Sequence, residues 1–227
     1  MKELSKNIKE NNRDYVYRIL KENIMYLKLK PGQNIGEVEL SEKLGVSRTP
    51  IREALVKLAD ETLVEVFPQK GTQVSKIDLL AVEEAFHIRK LIEKDILKKA
   101  LEDFEDSSLK ELEKLIYLQK GNIELNGKTE EFFAMDNQFH KCIYDRVGRQ
   151  RTWIGLNYIS IHYDRLRFLD ADAGMNKEKI INQHIAIYEA IKNKDYEKLK
   201  NIIEEHLANF KDKLDFFKKI HPEYFNE

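Results

Sequence analysis

Apolar side chains recur at helical spacing through most of this chain, and a short region before residue 75 departs from that pattern. Apolar positions between residues 15 and 29 share one side of a first predicted helix. Two shorter helices follow within residues 39–55 and are joined by a glycine turn. Two strand-like runs around Pro68 and Gly71 are then typical of a β-hairpin. This order of three helices and a hairpin predicts a winged helix-turn-helix.

The remainder of the chain shows helical periodicity without strand alternation. We therefore predict a mainly α protein with two domains: a winged helix-turn-helix over residues 1–76, and an all-α bundle of six or seven helices over residues 77–227. Residues 171–176 leave room for a further turn or helix. The six helices predicted in the bundle span residues 78–101, 106–125, 130–147, 151–170, 177–192 and 195–217.

The second helix of the predicted helix-turn-helix begins at about Arg48. Ser47 lies at the N-cap position, and Pro50 lies in the first turn, where its missing N–H breaks no helical hydrogen bond. A capped amphipathic helix with surface arginines is common, but a wing directly after it favours a DNA-binding motif. In such a motif the amino end of this helix enters the major groove, where arginine can bond guanine. The residues predicted to contact DNA are Ser47, Arg48, Thr49 and Arg52 on the helix, and Lys70 and Gly71 on the wing.

The charge distribution is consistent with this division into two domains. The whole chain has a net charge of −1, but residues 1–76 hold 14 basic and 11 acidic side chains, a net of +3, which leaves −4 for the remainder. Such a modest excess of positive charge favours a few placed DNA contacts, reinforced by dimer symmetry, over a broad basic surface.

Composition excludes several other classes of protein. No apolar run approaches the roughly 20 residues of a membrane span, and the first ten residues are polar, unlike a signal peptide. The single cysteine, Cys142, cannot form an internal disulfide and is expected to fill apolar space. We therefore expect a cytoplasmic protein with no membrane partner.

Four polar side chains fall on the apolar faces of three predicted bundle helices. Asp136 and His140 lie one turn apart on one helix, while His184 and His206 have apolar residues at helical spacing on either side. Each histidine alone would be explained by a hydrogen bond in the core, but one divalent ion would satisfy all four side chains. Imidazole with carboxylate suits zinc, which we favour, and also nickel, iron or manganese. Four protein ligands would leave coordination positions open for a small carboxylate.

The amino-terminal motifs resemble those of the GntR family of bacterial transcription regulators. The resemblance is carried by Leu29-Lys-Pro-Gly32, by the segment from Leu40 to Leu55, and by Gly71-Thr-Gln-Val74. Thr62 departs from the glycine that is usual in the family between the recognition helix and the wing. We expect a locally altered helix exit there and no loss of DNA binding.

The bundle is similar to the FCD effector-binding domain of the FadR-like branch of that family. The matching patterns are Asp136-x-x-x-His140, the segment that begins at His184, Glu205-His206-Leu207, and Arg89-x-x-Ile-Glu93. The resemblance implies a metal held by the four polar side chains and an anionic effector paired with Arg89 in the same cavity. Arg165 is a second candidate for effector binding.

Together these patterns predict a homodimeric, ligand-responsive regulator that binds a near-palindromic operator, more often as a repressor than as an activator. A metal-dependent enzyme is one alternative, although no second acid, base or nucleophile has a spacing that fixes it beside the ligand set. A regulator for which the metal itself is the signal is another. A nucleoid-type architectural protein would have no need of the buried ligands.

Overall fold

The computed structural model describes residues 5–102, 104–174 and 177–226. These residues form two compact units, one made of residues 5–79 with 216–226 and the other of residues 80–215. Helices dominate both units, and the described strands form one small sheet. The predicted fold class, a winged helix-turn-helix followed by an all-α bundle, is confirmed.

The amino-terminal unit contains the predicted three helices and wing. The side chain of Asn11 caps the first helix by accepting a hydrogen bond from the Asp14 amide at 2.9 Å. Gly45 adopts a left-handed φ of 64° and thereby ends the second helix in a tight turn. The antiparallel sheet has the strand order β1-β3-β2. Its elements are α1 (Asn12–Met25), β1 (Asn34–Ile35), α2 (Glu37–Leu44), α3 (Arg48–Asp60), β2 (Val64–Phe67) and β3 (Gly71–Val74).

Packing of α1 against α3 fixes the orientation of the recognition helix. Both helices present fully buried aliphatic side chains, among them Ile19 and Leu20 on α1 and Ile51 and Leu58 on α3. Because this face of α3 is buried, its opposite face and its amino end are left at the surface.

Thr62 lies between α3 and the wing with a positive φ of 60°. This left-handed conformation is strained for a β-branched residue and is free of strain for glycine. Thr62 therefore occupies a backbone conformation that is suited to glycine.

The carboxyl-terminal segment belongs to the amino-terminal unit. Helix α11 (Leu214–Ile220) leads into it, and Ile77 then exchanges backbone hydrogen bonds with it, donating to Tyr224 at 2.7 Å and accepting from Asn226 at 3.2 Å. Phe225 is buried. The sequence-based boundaries, 1–76 and 77–227, placed this segment in the bundle, because pairing between residues so distant in sequence leaves no local signature.

The bundle unit is built around one apolar core to which most of its helices contribute. The 3-10 helix Asn209–Lys213 continues the last bundle helix toward α11. No helix in the described part of the chain is long and apolar enough to cross a membrane. The bundle helices are α4 (Leu79–Glu102), α5 (Asp106–Glu124), α6 (Thr129–Arg146), α7 (Gln150–Ile159), α8 (Ile161–Asp172), α9 (Lys177–Lys192) and α10 (Tyr196–Ala208).

Two predicted bundle helices are interrupted in the structure. The predicted helix 151–170 is divided into α7 and α8 at Ser160, and the predicted helix 195–217 is divided by the 3-10 segment. Neither break contains proline or glycine, so periodicity alone gave no signal of it. In the stretch 171–176, α8 ends at Asp172 and a turn covers residues 173–174; residues 175–176 lie outside the described residues.

Replacing Thr62 by glycine is expected to stabilise the amino-terminal unit by about 1 kcal/mol, because relief of the left-handed strain exceeds the extra entropy that glycine gives the unfolded chain. Hydrogen exchange of the α3 amides should then slow about fivefold. Thr62→Ala keeps a Cβ atom and should give a smaller gain. Equal or faster exchange in Thr62→Gly would show that the threonine conformation carries no strain.

Candidate metal centre and DNA-reading surface

Four buried side chains from three helices converge on one point in the bundle. Asp136 and His140 lie on α6, His184 lies on α9 and His206 lies on α10. Each offers one donor atom, and these four atoms all lie within 4.8 Å of one another. The i, i+4 spacing on α6 brings its two donors to the same side of that helix. The predicted convergence of these four residues is therefore present in the structure.

The outer ring nitrogens of the three histidines face oxygen atoms that fix the rings. His184 Nδ1 lies 2.8 Å from Gln119 Oε1, and His206 Nδ1 lies 3.0 Å from Gln183 Oε1. His140 Nδ1 lies 3.4 Å from the carboxylate of Glu93. Because an amide oxygen only accepts hydrogen bonds, the Nδ1 atoms of His184 and His206 carry the protons.

The inner nitrogens of His184 and His206 therefore present lone pairs to a common space, which His140 Nε2 also faces. His140 Nε2 lies 3.0 Å from His206 Nε2, and His184 Nε2 lies 3.4 Å from Asp136 Oδ1. Within the described residues, neither His184 Nε2 nor Asp136 Oδ1 has a hydrogen-bond partner. Lone pairs that face one another in a dry interior repel, and a cation between them removes the repulsion. The donor set thus fits a divalent metal ion such as zinc.

Electrostatics hold these donors in the protonation states that bind metal. Burial lowers the pKa of His184 to about 3 and lowers the pKa of His206 well below its usual value, so both rings are neutral near pH 7. Burial alone would raise the pKa of Asp136, but the nearby charge of Arg167 outweighs it and lowers that pKa. The aspartate is therefore a carboxylate, as metal coordination requires.

A chain of buried ion pairs adjoins the ligand set. Arg89 lies 2.6 Å from Glu93 and 3.5 Å from Asp164. Arg167 in turn donates to Asp164 at 2.9 Å and also pairs with Asp136. Negative and positive charges therefore alternate in the order Glu93, Arg89, Asp164, Arg167 and Asp136.

A small cavity of about 20 Å³ lies beside the ligands. Its polar wall includes Asp136, Arg167, Asp170, His206 and Asn209, and aromatic rings form much of the rest. Among the described residues, the arginine in this wall is Arg167.

The two arginines predicted to bind the effector lie elsewhere. In the described structure neither Arg89 nor Arg165 lines the cavity. Arg89 is held in its ion pairs, and Arg165 is fully buried on α8. Helical periodicity could not distinguish Arg165 from Arg167, because α8 is buried on nearly every side.

The sequence analysis did not identify Gln119 and Gln183, the two glutamines that orient histidine rings. A signal was present for Gln119, which follows Leu112 and Ile116 on the inward face of α5.

The predicted DNA-contacting residues all lie at the surface of the amino-terminal unit. Arg48 begins α3, and Ser47 occupies the N-cap position, although its side chain makes no capping hydrogen bond. Arg52 donates to Glu37 on α2 at 2.8 Å. An exposed ion pair of this kind is worth roughly 0–1 kcal/mol, so Arg52 can exchange it for a DNA contact at little cost.

The wing places its two predicted residues at the tip of a hairpin. Lys70 donates its backbone N–H to Phe67 at 3.1 Å, which closes the turn between β2 and β3. Gly71 adopts a φ of 102°, a conformation that side chains rarely allow. Both residues are exposed and can approach a DNA backbone.

A winged helix-turn-helix joined to a helical bundle with a buried ligand set defines a DNA-binding transcription regulator. The sequence pattern of the family described as "Bacterial regulatory proteins, gntR family" matches residues 12–74, and the pattern of the FCD domain matches residues 84–209. The chain therefore belongs to the GntR family and carries an FCD domain.

Similar proteins share both parts of the chain. The HTH-type transcriptional repressor RspR of Escherichia coli is 28% identical over 93% of this chain and 92% of its own length. An HTH-type transcriptional regulator in an unstable DNA locus of Streptomyces ambofaciens is 31% identical over 96% of this chain and 91% of its own. The structure of E. coli McbR/YncC superposes with a TM-score of 0.75 at 22% identity, covers 93% of this chain and 99% of that one, and so has the same fold.

Removing the amide that orients His184 should weaken metal binding. We expect Gln119→Leu to lower zinc affinity by roughly 10–100-fold, because the ring loses the acceptor that fixes its tautomer and direction. Competition with a chromophoric chelator measures this affinity. The matched control is Gln138→Leu, the same replacement at an exposed position on α6. Equal zinc affinity in the two variants would contradict an orienting role for Gln119.

Proposed function

We propose that this regulator binds a near-palindromic operator as a homodimer, and that a small carboxylate bound at a metal site in the bundle controls its affinity for DNA. The observation that carries the proposal is the set of three imidazoles whose outer nitrogens face oxygen atoms while their inner nitrogens meet at one carboxylate. That arrangement is typical of metal-binding histidines.

The DNA-binding half of the proposal rests on exposure and charge. Arg48, Thr49 and Arg52 would enter the major groove, with Ser47 at the helix terminus and the wing residues Lys70 and Gly71 along the backbone. The net charge of +3 over residues 1–76 favours approach to DNA without a large nonspecific affinity. Two such surfaces, related by a dimer axis, would match two half-sites.

The sensing half rests on the bundle interior. Asp136, His140, His184 and His206 would hold the ion, with zinc favoured and nickel, manganese or iron possible from the same donors. When bound, the ion would supply positive charge and open coordination positions for an anion. Arg89 would contribute by holding Asp164 and Glu93 in place, and Arg165 is proposed as a second source of positive charge in α8.

A repressor is the form of regulation that we propose. RspR, which aligns with nearly the whole of this chain, is named a repressor. In such a protein the ligand can change operator affinity only by binding the two states of the dimer unequally. A cytoplasmic location follows from a function on chromosomal DNA.

Direct sensing of the metal is a second candidate function. The cavity beside the ligands measures about 20 Å³, which is little more than the volume needed to hold one water molecule. Such a cavity must expand before it accepts most organic acids. The metal ion itself needs no such expansion.

Arg52→Ala should weaken binding to the operator by roughly 1–3 kcal/mol and relax base preference at one position of each half-site. The operator would first be selected from random duplexes with the full-length protein, and affinities would then be measured by fluorescence anisotropy. Arg151→Ala, which removes an exposed arginine from α7, is the control and should bind normally. Unchanged affinity and base preference in Arg52→Ala would place the recognition surface elsewhere.

Operator affinity should respond to the occupancy of the ligand set. Metal-stripped protein, reloaded protein, and reloaded protein with acetate or lactate would be compared, and we expect a change of about 5–150-fold on adding the carboxylate. His184→Ala should abolish the response, whereas His87→Ala, at an exposed position on α4, should keep it. A response to metal alone would support the metal sensor. No response to either would contradict both candidates.

A further inference from the structure

Arg167 combines three properties that Arg89 lacks. It lines the cavity, it pairs directly with the ligand Asp136, and its side chain keeps 14% of its surface exposed, against 2% for Arg89. Its guanidinium carbon also lies 5.1 Å from the ring centre of Phe133 and 5.6 Å from that of Tyr163. The two rings and the ion pairs hold a planar cation at the wall of the cavity.

We propose that Arg167 binds the carboxylate of the effector, and that its ion pair with Asp136 makes metal binding and effector binding depend on each other. This assignment rests on the proposed function and names the residue that would recognise the anion. A hydrogen bond from a guanidinium N–H to a carboxylate oxygen is charge-assisted, and it is therefore stronger than a neutral hydrogen bond.

The buried charges of the bundle favour a singly charged anion. Among the described residues of its interior, three arginines face four acids, and these side chains together carry a net charge of −1. A divalent ion would change this to +1, and a monocarboxylate would then bring it to zero. Because uncompensated charge in a protein interior is costly, each addition favours the next. The charged side chains are Arg89, Glu93, Asp136, Asp164, Arg165, Arg167 and Asp170.

The geometry supplies the coupling between the two sites. In this structure Arg167 directs one arm of its guanidinium to Asp164 and the other to Asp136. Asp136 cannot give its full charge both to Arg167 and to a coordinated ion. Once Asp136 turned to an ion, the second arm of Arg167 would need a new acceptor, and a carboxylate in the cavity provides one.

Arg89 acts one step further away in this arrangement. Its guanidinium is taken up by Glu93 and Asp164, and Asp164 in turn holds the first arm of Arg167. Arg89 is therefore a positioning residue for Arg167. The family-like spacing of Arg89 and Glu93 is compatible with this indirect role.

The proposal predicts opposite changes in two affinities. In Arg167→Gln, Co²⁺ affinity measured by chelator competition should rise severalfold, because the arginine no longer competes for Asp136 or repels the ion. Affinity of the Co²⁺-loaded protein for acetate, glycolate or lactate, followed by the visible absorption of Co²⁺, should fall about tenfold or more. Arg151→Gln, at an exposed position on α7, is the control and should match the wild type in both measurements.

The outcomes separate this assignment from the proposed function. If Arg167→Gln binds these anions as tightly as the wild type, or binds Co²⁺ more weakly, the role of Arg167 is overturned while the metal and effector site stands. If the wild type binds Co²⁺ but none of the three anions, the proposed effector class is wrong, and the assignment fails with it. If the wild type binds no divalent ion, the proposed metal site is itself wrong.

Discussion

Burial of charged and imidazole groups is the constraint on which the bundle depends. An isolated charge or unpaired polar group in a protein interior costs several kcal/mol, so each buried group requires a partner at a fixed distance. Here the partners come from different helices: α4 and α5 supply Glu93 and Gln119 to histidines on α6 and α9, and α8 supplies Arg167 to Asp136. Apolar packing alone would tolerate small shifts between these helices. The polar network limits such shifts, since most of its members contact partners on another element.

The sequence predicted those parts of the site that depend on one helix at a time. Asp136 and His140 are one turn apart, and His184 and His206 are surrounded by apolar residues at helical spacing, so each side chain could be placed on an inward face. The convergence of these four side chains depends on how the helices pack. The same packing places Arg167, and not Arg165, against Asp136. Periodicity identifies a face only where one side of a helix is exposed, and α8 is buried on nearly every side.

The remaining differences from the predicted fold have the same origin. Thr62 takes a left-handed conformation because α3 and the wing must join there, although its side chain disfavours it. Ser160 separates two helices that a continuous periodic pattern would join. The carboxyl-terminal residues pair with Ile77, more than a hundred positions away in the chain. In each case tertiary structure overrides a local preference, whereas the glycine turn of the helix-turn-helix, at Gly45, is determined locally and was predicted.

The course of the chain gives the ligand set two covalent connections to the unit that contains the recognition helix. One is the passage from Leu79 to Leu80 within α4, and the other follows α10, through the 3-10 helix at residues 209–213 and α11, into the segment paired with Ile77. His206 lies on α10, near the start of this second path. A ligand influences DNA affinity only if it stabilises one arrangement of such elements over another. Under the proposed function, His206 would coordinate from a helix that continues along the chain toward the DNA-binding unit, and a small change in that helix would be passed on through the backbone itself.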